Sequence, residues 1–230
     1  MGIKSDLEAE VKTIFADKWE PRDGQKVPEP EDLTLGNTAI KLDAAVLYAD
    51  MSDSTILVDS KTPYFAAEVY KSYLICAARI VKIAFGAITA YDGDRIMAVF
   101  IGNDKEERAV RSALRINYAT SHIINPAIEA QYGAGMYTLR QVVGIDTSEI
   151  VAARIGVRKY NDLVWVGHAA NHAAKLSGLS DYPTYITAAV HSQLPTSLTN
   201  VGGKDVWEAR FWTPMNNERI YRSNWHCALT

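Results

Sequence analysis

An α+β domain, with helices covering one face of a mainly antiparallel sheet, is the fold class this sequence predicts. Three observations point there. A strand-like apolar run at residues 44–49 leads into a long helical pattern that opens at Thr62-Pro63. Two further apolar runs flank Asp92-Gly93-Asp94, the signature of a hairpin. The second half of the chain then sets several short strand-like runs around one well-marked helix.

Taken in order, residues 5–18 read as an amphipathic helix, with Leu7, Val11, Ile14 and Phe15 at helical spacing. The stretch "EPRDGQKVPEPEDLTLGN" brings Pro, Gly and charge, so residues 1–40 form a helix and arm ahead of a domain at 41–230. Strand one occupies 44–49. Thr62 caps a helix with Pro63 at its first position, and the pattern runs to about Phe85, where Gly86 can end it. After the hairpin, a second long helix is expected over 103–131, capped by Asn103 or Asp104, with Ala109, Leu114 and Ile116 apolar. "YTLRQVVGID" and "SEIVAARIG" read as two strands around a turn, and "DLVWVG" as a third. "HAANHAAKLSGL" is helical and closes at Gly178. "TYITAAV" and two late strands, near 206–212 and 218–223, complete the domain.

Composition narrows the function. The 230 residues are 48% hydrophobic and 22% charged, the balance of an ordinary globular protein with a sizeable core. A net charge of −3 argues against life on nucleic acid or an acidic membrane surface. Cys76 and Cys227 lie too far apart for a zinc or redox spacing and suit a reducing, cytoplasmic setting. The most apolar stretch, 73–90, is interrupted by Arg79 and Lys82, and the N-terminus lacks a signal-peptide core.

The segment "VLYADMSDST" places Asp50 at the end of strand one, ahead of Met51, Ser52, Asp53, Ser54 and Thr55. These residue types suit a turn. The sharper alternative is a carboxylate on a rigid strand beside amides that bind phosphate. Asp94, at the hairpin tip, is either a turn residue or a partner for Asp50, should the hairpin's second arm lie beside strand one. Two facing carboxylates repel unless a cation or proton sits between them, and hard oxygen ligands suit Mg²⁺ or Mn²⁺. On the later helix Asn171 and Lys175 are four apart and share one face. That face is simply solvated, or it presents an amide and a cation that orient a ribose and stabilise charge on phosphorus.

"YADMSDST", "YDGDRIMAVF", "VVGIDTSEIVAARIG" and "VWVGHAANHAAKLSG" together resemble the class III nucleotidyl cyclases, in order and spacing, over about residues 42–223. The resemblance implies that family's catalytic domain, a ferredoxin-like, mainly antiparallel sheet covered by helices. It implies two metal ions, Mn²⁺ or Mg²⁺, on Asp50, Asp94 and the carbonyl of Met51, with residues 52–55 cradling a triphosphate. The family's Asn–Arg pair matches Asn171 and Lys175, where Lys keeps the charge and loses the planar fork. It also implies a head-to-tail homodimer whose active sites form between subunits.

Purine cyclases usually read their base with polar side chains at two positions, which here are Ala90 and Val164. Tyr48, two before Asp50 and on the same strand face, adds bulk and a polar tip, or is a plain core aromatic. In this the chain is similar to the stand-alone pyrimidine cyclases of bacterial Pycsar anti-phage defence. The resemblance implies conversion of UTP to cyclic UMP and pyrophosphate, with a separate cyclic-nucleotide-sensing effector downstream. The alternatives are CTP as substrate, a purine cyclase, and an inactive nucleotide-binding module.

Overall fold

The computed structural model describes residues 2–157 and 160–229. Helix α1 (Ile3–Ala16) leads to β1 (Glu20–Asp23) and then to β2 (Thr38–Ser52), the long central strand. After β2 come α2 (Ser54–Ser60), α3 (Pro63–Ile83), and the hairpin of β3 (Ala87–Asp92) and β4 (Arg95–Ile101). Next are α4 (Lys105–Ala119), a π-helical turn (Thr120–Ile124) and α5 (Asn125–Tyr132). Strands β5 (Arg140–Val157) and β6 (Tyr160–Gly167) precede α6 (His168–Ser177), β7 (Thr184–Thr187), α7 (Ala188–Ser192) and α8 (Thr196–Thr199). A two-residue pairing of β8 (Asn200–Val201) with β9 (Lys204–Asp205) and the edge pair β10 (Glu208–Trp212) and β11 (Glu218–Ser223) finish the chain.

The main sheet runs β10-β11-β7-β5-β2-β4-β3, with β1 added to β2 and β6 to β5. Its pairings are antiparallel except β1–β2 and β5–β7. Side chains alternate across β2. Ala45, Leu47, Ala49 and Met51 face a core shared with α3 and α4, whereas Leu42, Ala44 and Val46 face a second cluster with Ala169, Ala170 and Ala173 of α6. Helices therefore flank the sheet on both faces, and α6 occupies the face expected to be bare. Each fully buried Leu or Ile in these layers contributes about 1.5–3 kcal/mol.

Local chemistry explains α3. The Thr62 hydroxyl accepts from the Phe65 amide at 3.3 Å, Pro63 fits the first turn, and Phe65, Val69, Tyr73, Ala77 and Ile80 make its buried stripe. Elsewhere tertiary contacts override local signals. Strand one extends over Thr38–Ser52, so Asp50 sits two residues inside its end. The arm before it contributes β1 to the sheet and Leu33 to the core. The turn expected at Thr147 is absent, because β5 is a single strand paired with β2 from Ala39–Ala153 to Ser52–Arg140. The long second helix is interrupted by the π-helical turn just before Pro126, which has no amide to donate; the Asn125 amide reaches back five residues to Thr120. Of "TYITAAV" only the first four residues are strand, since the Thr187 hydroxyl accepts from the Val190 amide and starts α7.

Candidate active site

The hairpin sets the first half of the site. Gly93 takes φ +61°, which permits a tight turn, and Asp94 follows it at the turn's second central position. Because β4 pairs antiparallel with β2 through Ala49–Ile96, Asp94 lies just beyond the end of that register, beside Asp50. Burial, and then the negative charge of Asp94, push the Asp50 carboxyl up to about 6, against the pull of Arg95 and of the Met51 amide that donates to it. From the other side of the sheet the fully buried Tyr73 hydroxyl donates to the Asp50 carbonyl at 3.5 Å. Among the described residues no cluster of three or more His, Cys, Asp or Glu side chains is placed to hold a metal. The donor set fits a hard divalent cation nonetheless: two repelling carboxylates and the Met51 carbonyl next in the chain.

The second feature is the turn after β2. Asp53 adopts φ +58°, swinging the chain into α2, so that Ser54 and Thr55 supply first-turn amides of the kind a helix leaves without internal partners. Arg140 stands opposite Ser52 in the β2–β5 ladder and ion-pairs with Asp53, which puts a guanidinium at the mouth of this turn.

Beside the carboxylates, Tyr48, Met97 and Ala90 stand in one row across β2, β4 and β3. The Arg95 guanidinium lies 5.4 Å from the Tyr48 ring centroid and is held by Asp92 at 2.9 Å. Tyr48 is half-buried, and burial raises its phenol above the usual value.

Helix α6 carries the remaining candidates, and its rotation is fixed. A Cβ on Gly144 would stand 2.3 Å from the Ala173 carbonyl, so only glycine lets α6 lie this close on β5. Ser148 accepts from the Ala169 amide at 3.0 Å. The buried His172 meets Asp146 at 3.3 Å, and Asp146 in turn accepts from Thr187 at 2.5 Å. With Ala173 against the sheet, helical geometry turns Asn171 and Lys175 roughly 160° away from it. Both are exposed, and Lys175 makes a 3.4 Å contact with the Met215 sulfur.

The structure thus brings Tyr48, Asp50, Met51, Ala90 and Asp94 together, with Ser52, Asp53, Ser54 and Thr55 following directly. It turns Asn171 and Lys175 to the outer face of α6, away from the sheet that carries the carboxylates, and leaves Val164 on β6. Val164 stands opposite Ala153, whose other neighbour is Ala39, about 30 Å along β2 from Tyr48. Sequence reasoning missed Arg95, Arg140, Tyr73 and Met97. Arg95 had a local signal, a cation immediately after the hairpin carboxylate. The others depend on strand register or helix orientation, which no local pattern records.

No protein-family model matches the chain. It is 47% identical to the uridylate cyclase of Xanthomonas perforans over 226 residues, covering 98% of each chain. It is 48% identical to the uridylate cyclase of Burkholderia cepacia over 227 residues, again 98% of each. Among solved structures, the adenylyl cyclase CyaB from P. aeruginosa superposes with a TM-score of 0.67 at 18% identity, covering 80% of this chain and 95% of that one.

Proposed function

The chain belongs to the uridylate cyclase family, on the class III cyclase fold, and from that premise we propose that it converts UTP to 3′,5′-cyclic UMP and pyrophosphate in a homodimer. The observation that carries this reading is one of orientation: the carboxylate pair lies on the sheet, while Asn171 and Lys175 face outward from α6. Each copy offers two halves of a site that only a second copy completes.

Asp50, Asp94 and the Met51 carbonyl would hold two divalent cations, Mn²⁺ or Mg²⁺, whose charge would neutralise the phosphates and acidify the attacking hydroxyl. Residues 52–55 and Arg140 grip the triphosphate, and Asn171 of the partner subunit orients the ribose. The 3′-hydroxyl gives its proton to solvent water as its oxygen bonds to the α-phosphorus, while the bond from that phosphorus to the bridging β-phosphate oxygen breaks and its electron pair leaves with pyrophosphate. Lys175 of the partner subunit stabilises charge on the α-phosphate as that bond breaks.

The base lies on the row of Tyr48, Met97 and Ala90, with Val164 of the partner subunit opposite. Neither Ala90 nor Val164 offers the polar contact that fixes a purine edge, and a missing hydrogen bond of this kind costs about 1–3 kcal/mol of discrimination. The Tyr48 hydroxyl and the Arg95–Asp92 pair supply bulk and polarity suited to a smaller ring. Among the described residues no helix is long and apolar enough to cross a membrane. The cyclic product signals to a separate nucleotide-sensing effector, a reading that rests on the resemblance to anti-phage cyclases.

Competition among equal ATP, GTP, CTP and UTP with Mn²⁺, reading cyclic products by mass, tests the substrate. Cyclic UMP should dominate. Dominant cyclic CMP would correct the base alone, and a dominant purine product would overturn the pyrimidine reading.

A further inference from the structure

Helix α1 carries an apolar stripe that no other described residue of the protomer covers. Ile3, Leu7, Val11, Ile14 and Phe15 recur at helical spacing, and with Trp19 they are between 50% and 85% exposed. No residue of α1 is buried. The helix is nevertheless tied to the fold: the Asn37 side chain donates to the carbonyls of Ile14 and Asp17, each at 2.8 Å, and β1 pairs directly with β2. A 14-residue helix tied to the fold at its C-terminal end is marginal in water unless its apolar face is covered.

What covers it follows from charge, area and position. Residues 3–16 hold two lysines against three acids, the reverse of the basic face that draws a helix onto anionic lipid. The exposed stripe amounts to several hundred Å² by ordinary side-chain areas, at or above the largest apolar patch of a typical monomer. Two such patches face to face bury on the order of 1,000 Å², the scale of a specific protein interface. Asn37, which anchors the helix, lies at the start of β2, four residues from Leu33, which packs in the cluster that Tyr48 joins farther along the same sheet face.

We propose that α1 pairs with α1 of a second copy, apolar stripe to apolar stripe, across the two-fold axis of the dimer. The pairing is isologous, so each stripe is its own complement. It deepens the proposed function and rests on the dimer described there: α1 clamps together the two copies whose half-sites must meet.

The test uses the full chain with two triple variants at exposed positions, Leu7→Glu/Val11→Glu/Ile14→Glu and Leu7→Lys/Val11→Lys/Ile14→Lys, each checked for native circular dichroism. Sedimentation should show each variant alone dimerising at least about tenfold more weakly than wild type. Activity per chain should fall on dilution and return at high protein concentration. Mixing the Glu and Lys variants should restore wild-type assembly, because opposite charges then meet along the stripe. Undiminished dimerisation of the Glu variant overturns the proposal, and so does a mixture that fails to recover, which would place the stripe on another surface of the partner. Wild-type binding to phosphatidylserine vesicles, lost in the Glu variant, would assign the stripe to lipid and likewise overturn it. The substrate reading fails separately, on the identity of the cyclic product, whatever the α1 variants do.

Discussion

The carboxylate hairpin and helix α6 carry opposite kinds of chemistry and are built in opposite ways. Asp50 and Asp94 sit where β2 meets β4, half-buried, with one carboxyl driven up to about 6 by burial and by its neighbour. Asn171 and Lys175 stand on an exposed helix face, while the buried side of that helix is fixed by Gly144 and the His172–Asp146–Thr187 network. The first region is electrostatically strained and open to a cation. The second is exposed and faces outward from the sheet. On the proposed reading, a protomer that presents both in this way would supply half of each of two shared sites.

The largest effect expected from breaking this contrast lies at the hairpin. Asp50→Ala or Asp94→Ala should lower turnover by about 10³-fold or more, since several kcal/mol of charge stabilisation depends on the pair. Stability should respond in the opposite direction. The folded Asp50 carboxyl titrates near 6, above the ordinary 3.8, so the fold binds the proton more tightly than the unfolded chain does. Metal-free protein should therefore lose stability as pH rises from about 4 to 6. Asp50→Asn should recover on the order of 1 kcal/mol at pH 7, discounted for solvent screening and read from urea midpoints.

Gly144→Ala probes the other region by itself. The added methyl meets the α6 backbone, so about 1–3 kcal/mol of stability should be lost and kcat should fall as Asn171 and Lys175 shift. The apo titration of Asp50, followed by carboxyl NMR, should stay where it is. A moved titration would show that the two regions are not independent.

Acidification sharpens the contrast further. Mn²⁺ affinity, measured calorimetrically without nucleotide, should fall up to about tenfold per pH unit below 6 as Asp50 takes up a proton. An unchanged affinity would remove Asp50 from the metal set. The smallest effect belongs to Lys175→Arg, which retains charge and adds a planar fork; kcat should change by less than about threefold.

Much of this arrangement is legible in the sequence where local chemistry decides it. Asp92-Gly93-Asp94 announces the hairpin because only a glycine-bearing tight turn joins those strands, and Thr62-Pro63 announces α3 through its cap. Asp146-Thr147-Ser148 misled because such residues usually make turns. In the fold each is satisfied elsewhere, Asp146 by Thr187, Thr147 by Glu106 and Ser148 by the Ala169 amide, which frees β5 to run straight through. Arg140 became visible as a site residue only once the register set it opposite Ser52. The outward rotation of Asn171 follows from a contact at Gly144, 27 residues earlier in the chain.

Complementation tests the shared site most directly. Asp94→Ala and Asn171→Ala proteins, each inactive alone, are mixed under conditions where subunit exchange is demonstrated by differential labelling. Half the resulting dimers should be mixed, each with one intact and one doubly broken site. Activity should therefore return to roughly a quarter of wild type. Full exchange with no return of activity would contradict the account, placing both halves of the site within a single chain.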